Sequence, residues 1–86
     1  MNVQQTSMEA FESMIPLLNE RQSVVYDVIR DHPGMSNHDI ARFLHWEINC
    51  VTPRVNELRE LGVVVFHGTK VDRVTGRNVM CWRVYE

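Results

Sequence analysis

The strongest constraint on this chain is a change of hydrophobic period at Gly62. Upstream, in VTPRVNELRELG (residues 51–62), Val51, Val55, Leu58 and Leu61 fall on one stripe at 100° per residue, while Asn49, Pro53, Asn56 and Glu60 point the opposite way. Downstream, VVVFHGTKV and NVMCWRV are β-branched or aromatic runs separated by DRVTGR, in which Gly76 supplies the turn. A helix that gives way at an αL-compatible glycine to two strands predicts an α+β chain with a C-terminal hairpin.

Two further helices are predicted ahead of the central one. Asn19 with Gln22 opens a helix whose apolar face is Val24, Val25, Val28 and Ile29, ending near Arg30 at the turn Asp31-His32-Pro33-Gly34. Ser36 and Asp39 form a capping box for a helix of about eight residues with Ile40, Ala41, Phe43 and Leu44 inside. A connection of four residues, 45–48, leads to Asn49 as the cap of the central helix, with Pro53 in its first turn; Thr52, followed by Pro53 at the first helical position, is the alternative cap. Two short helices, a tight turn and a second helix with a polar outward face make a helix-turn-helix. The stripe Val55, Leu58, Leu61 is expected to meet Val28, Ile40 and Leu44. Ahead of all this, a capping box at Thr6 and Glu9 and the spacing of Met8, Phe11, Met14, Ile15 and Leu18 predict a short helix over about 7–15, stopped by Pro16. Residues 1–18 thus form an N-terminal helix, either a homodimerisation element or a cap on its own domain, and 19–86 a compact domain.

Charge is unevenly placed. The net value is −2, yet residues 1–35 carry two basic residues against five acidic ones, whereas residues 62–85 carry four basic residues against Asp72 alone. A surface built from the hairpin can be positive on an acidic molecule. The outward residues of the central helix, Asn49, Thr52, Pro53 and Asn56, flanked by Arg54, are short hydrogen-bonding groups and one fork of donors, a composition suited to base edges and phosphates.

These residues carry a resemblance. Three helices and a basic hairpin resemble a winged helix-turn-helix domain; DIARFL, five residues, then VTPRVNELRELGVV resembles the helix-turn-helix half of the MarR-like group, and VTGRNVMCWRV is similar to the wing of short phage- and prophage-encoded winged-helix proteins. The resemblance covers residues 19–85. It implies double-stranded DNA binding with the helix around 49–60 in the major groove and the hairpin on the backbone or minor groove. By position, Asn49, Thr52, Pro53, Arg54 and Asn56 inherit recognition, with Arg54 and Asn56 at base edges. Lys70, Arg73 and Arg77 inherit the wing's phosphate contacts, and Ser36, Asn37 and His38 a phosphate contact through free N–H groups at a helix start. The net acidity and the short wing depart from the family pattern.

Other chemistries find no support in the residues. Cys50 and Cys81 read as free thiols, and His32, His38, His45 and His67 form no recognised ligand pair with them, so no metal or other cofactor is expected. Nor is there a nucleophile set, a glycine-rich phosphate loop or a carboxylate pair, so the chain is expected not to be an enzyme, and no small-molecule ligand is evident. Without a membrane span or a leader-like N-terminus, a cytoplasmic location is expected. Trp82 is expected to fill the core beneath the hairpin, Trp46 to cover the turn, and Arg83 to be solvated. The reading is a small transcriptional regulator or phage-type DNA-binding protein. The alternative is a winged helix used as a protein-interaction module, docking through its acidic N-terminal half.

Overall fold

A computed structural model describes residues 15–86. The predicted helix over residues 7–15 therefore lies outside the described residues except for Ile15, which opens a short 3-10 turn, Ile15–Leu17. Ile15 and Leu18 rest against the core while Leu17 is exposed.

Three α-helices follow: α1 (Glu20–Asp31), α2 (Asn37–Leu44) and α3 (Ile48–Glu60). Both predicted capping boxes form. Asn19 Oδ1 accepts from the Gln22 N–H at 2.9 Å and Gln22 returns the bond, and Ser36 and Asp39 do the same for α2 at 3.2 Å in each direction. The turn between α2 and α3 is three residues long, with His45 at φ 57°, ψ 38° in the left-handed region usually given to glycine. Its N–H returns to Arg42, and the Trp46 N–H bonds the Ala41 carbonyl at 3.0 Å, closing α2 with a Schellman-type end. α3 closes the same way, with Gly62 at φ 81° and the Val63 N–H on the Leu58 carbonyl at 3.1 Å.

The chain then forms an antiparallel hairpin, β1 (Val64–Val71) and β2 (Asn78–Val84), running from the pair Val64 and Val84 to Val71 and Asn78, with a bulge between Phe66 and Gly68. The turn after α1 is tied to it: Gly34 N–H bonds the Trp82 carbonyl at 2.8 Å, and Trp82 N–H bonds the Met35 carbonyl at 3.0 Å.

α3 packs against α1, α2 and β1. Val51, Val55 and Leu58 are 0% exposed, joined by Val25, Val28, Ile29, Ile40, Val63, Val64, Trp82 and Val84, while Leu44 and Leu61 are partly buried against this cluster. Full burial of side chains of this size stabilises by about 1.5–3 kcal/mol each. One expectation fails: Phe43, read as an inner residue of α2, is 51% exposed and lies against His32 at a ring-centroid distance of 4.9 Å. Tyr26 takes a buried place that the spacing did not mark. Among the described residues no helix is long and apolar enough to cross a membrane.

Candidate nucleic-acid interface

α3 begins at Ile48, two residues earlier than a cap at Asn49 and five earlier than a cap at Thr52 would start it. Glu47 is the N-cap and makes no side-chain cap bond, so neither Asn49 nor Thr52 caps the helix. The cause is tertiary: Ile48 packs against the core, and starting the helix there extends the buried stripe to Ile48, Val51, Val55 and Leu58. Pro53 consequently sits in the second turn, not the first. Having no N–H, it leaves the Asn49 carbonyl without its helical partner. Asn49, Pro53, Asn56 and Glu60 are all exposed in one row, as the period requires.

The two flanks of that row are used differently. Arg54 turns toward its own helix: Nε donates to Glu57 Oε1 at 2.7 Å and Nη2 to Glu57 Oε2 at 2.8 Å, and Gln22 of α1 donates to the same Oε1 at 3.0 Å. These bonds, Arg54 first and Gln22 second, lower the pKa of the Glu57 carboxyl, and the bond to Glu57 raises that of Arg54. Arg54 is thus a paired cation at the α1 side of the helix. On the other flank Thr52 Oγ1 accepts from Asn37 Nδ2 at 3.4 Å, and Asn37 Oδ1 accepts from the Trp82 indole N–H at 2.7 Å. The Asn37 side chain joins α2, α3 and β2. Ser36 is 1% exposed and its hydroxyl is spent on the cap. What the start of α2 leaves free are the N–H groups of Asn37 and His38, beside an exposed His38 side chain, at the mouth of a cleft of about 230 Å³ shared with Thr52 and Met80.

The wing divides in the same way. Lys70 forms an ion pair with Asp39 of α2. Arg42, one turn along α2, donates from Nη1 and Nη2 to both oxygens of Asp72 at 3.0 Å each, and to Asp39 at 3.3 Å. Asp72 is buried and also accepts from the Val74 N–H, Thr75 N–H and Thr75 hydroxyl at 2.9–3.2 Å. The Arg42 guanidinium, with the Thr75 N–H behind it, holds the Asp72 carboxyl well below the usual carboxylate range. For Asp39 burial opposes ionisation, but Lys70 and Ser36 more than offset it and its pKa is lowered. Beyond this lock, Arg73 and Arg77 are exposed on the turn, and neither guanidinium has an acidic partner among the described residues.

Three helices followed by a two-stranded antiparallel hairpin match known structures. The fold is a MarR-like winged helix-turn-helix. A protein from Methanosarcina mazei Go1 described as a "possible transcriptional regulator" superposes with TM-score 0.66 at 15% identity, over 92% of this chain and 66% of that one. The multiple antibiotic-resistance repressor MarR from Listeria monocytogenes 4b F2365 superposes with TM-score 0.64 at 20% identity, over 98% of this chain and 56% of its own. A further MarR crystal structure gives 0.64 at 16% identity, over 100% and 66%. The chain therefore spans 56–66% of the length of the winged-helix proteins it resembles. No protein-family model and no curated protein matches it by sequence.

The winged helix also contains polar residues that sequence reasoning passed over. Asp72 counted only as the one acid in a basic stretch, although an Asp three residues before Thr75-Gly76 carries a local signal for a side-chain-capped turn. Arg42 and Arg59 had no such signal. Trp82 is buried as expected and Trp46 lies partly buried against the core. Cys50 and Cys81 are free, with burial raising the Cys81 pKa. Arg83 is exposed on β2.

Proposed function

We propose that the chain binds double-stranded DNA as a small transcriptional regulator or phage-type DNA-binding protein, reading sequence with α3 and holding the backbone with the wing. The observation that carries this reading is the exposed row Asn49, Pro53, Asn56, with two amides and no acid until Glu60, beside a hairpin tip whose Arg73 and Arg77 have no acidic partner among the described residues. Short amides in a groove discriminate bases, whereas cations on a loop release counterions from phosphates. The free N–H groups of Asn37 and His38 supply a further backbone contact, and Lys70, Arg54 and Ser36 act by positioning. The N-terminal residues 1–18 serve as the homodimerisation element, which would set two recognition helices about 34 Å apart. The location is cytoplasmic.

Paired titrations of cognate and scrambled duplex at two salt concentrations test this division. Asn56→Ala is expected to remove about 1–3 kcal/mol of discrimination and leave scrambled-duplex affinity almost unchanged. Arg73→Ala is expected to weaken both duplexes and reduce the salt slope by about one unit. Equal weakening of both duplexes by both variants would show that α3 does not read sequence.

One feature favours a second reading as a protein-interaction module: a groove of about 620 Å³ between the α1–α2 turn, α2 and the wing, bordered by exposed Phe43 and Val71. Unchanged binding in both variants would leave that reading standing.

A further inference from the structure

Cations on this fold separate into those neutralised by an acid and those that are not. Arg30, Arg42, Arg54 and Lys70 each lie within ion-pair distance of a carboxylate. Arg59 has no such partner among the described residues: its guanidinium lies over the Trp82 ring, 4.5 Å from the centroid. Glu60 is next in sequence, but adjacent helical residues do not face each other, and no ion pair joins the two.

Arg59 follows Thr52 by seven residues and Asn56 by three, so the three share the wing-facing side of α3. It is exposed, and with Asn56, Glu60 and Phe66 it borders an open groove of about 470 Å³ between the end of α3 and the start of β1. Trp82 is itself fixed. Its indole N–H is held by Asn37 at 2.7 Å, its backbone by Met35 and Gly34, and Phe66 meets it edge-on at 6.4 Å. A planar guanidinium resting on a fixed ring loses less rotamer freedom on meeting an anion than a free side chain does, and its N–H edge remains open.

We propose that Arg59 is a phosphate-contacting residue of the interface, held ready by the face of Trp82, where α3 leaves the major groove beside the start of β1. This rests on the duplex-binding reading. It places a contact in the half of the helix whose sequence, with Glu57 and Glu60, looks unsuited to nucleic acid.

The test is anisotropy titration of a short random-sequence duplex over a salt series with wild type, Arg59→Ala, Arg59→Lys and Arg30→Ala. Arg59→Ala is expected to make the slope of log K against log salt shallower by about 0.9 unit. Arg59→Lys is expected to keep the slope but bind more weakly by a constant factor, since an ammonium does not stack as a guanidinium does. Arg30→Ala makes the same change in net charge on another helix and is expected to leave the slope unchanged. A wild-type slope in Arg59→Ala, while wild type binds, overturns the contact and leaves the duplex reading intact; an equal loss in Arg30→Ala overturns it as a mere charge effect. Equal affinity of Arg59→Lys and wild type overturns the role of Trp82. Wild type that binds no duplex overturns both inference and reading.

Discussion

The root of the wing's turn, where Lys70 and Asp72 meet α2, and the tip of that turn lie within eight residues of each other and are both basic, yet they are built for opposite purposes. At the root, Lys70 and, from α2, Arg42 are consumed by Asp39 and the buried Asp72. At the tip, Arg73 and Arg77 face solvent without acids. The contrast teaches that a count of basic residues measures neither binding charge nor structural charge. What divides them is two acids: Asp39, which meets Lys70, and Asp72, whose carboxylate closes the turn and draws Arg42 across from another element.

The largest effect expected is on what root and tip both stand on. Leu58→Ala empties a fully buried position under the wing and should cost about 2–5 kcal/mol of stability; an unchanged chemical-denaturation midpoint would show that the core does not carry the wing. Next, Asp72→Ala should lower the melting temperature and increase amide exchange in residues 72–77, because Arg42 and the turn N–H groups lose one shared acceptor. Arg77→Ala should leave the melting temperature alone and alter only the salt dependence of duplex binding. If the two substitutions affected stability equally, root and tip would not differ.

Acid should separate the regions as well. The carboxyls of Asp72, Asp39 and Glu57 have folded-state pKa values below their ordinary ones. Their contribution is therefore present above the ordinary carboxylate range and is lost as pH falls through it toward the folded values. Stability should fall below about pH 4, and Asp72→Asn should flatten that fall. A denaturation series in which wild type and Asp72→Asn lose stability in parallel would remove Asp72 from the account. The smallest effect expected is at Lys70: Lys70→Ala should change the salt slope of binding less than Arg73→Ala, because its charge is already met by Asp39.

Much of the framework could be read from sequence because its signals are local. Asn19 with Gln22, Ser36 with Asp39, Gly62, Gly76 and the Val51, Val55, Leu58 stripe each declare themselves within a few residues. The start of α3 misled because Asn49 is the better cap by type, and only the packing of Ile48 moves the cap to Glu47. The end of α2 at Leu44 was legible too, although the histidine that closes it holds a conformation usually given to glycine. Of the proposed interface, the outward row was legible by period. Arg54 and Glu57, three apart on one helix, carried a local signal that went unread. The pairings of Lys70 and Arg42 were not legible, since Lys70 meets Asp39 on another element and Arg42 meets Asp72 across 30 residues. The same distance hides Arg59, whose seat on Trp82 exists only once β2 has folded against α3.

The bulge between Phe66 and Gly68 acts as a phase shifter. Side chains alternate faces along a strand, so one extra residue inverts the assignment of everything beyond it. Phe66 stands opposite Trp82 and Gly68 opposite Cys81, leaving His67 as the inserted residue. Were His67 paired regularly and not bulged out, Thr69, Lys70 and Val71 would turn to the opposite faces, carrying the Lys70 ammonium away from Asp39 and uncoupling the hairpin from α2; deleting His67 would close the ladder and keep their pairings. The angle at which the tip projects is thus set by a single added step in β1, so that wing length and wing direction are adjustable independently of each other.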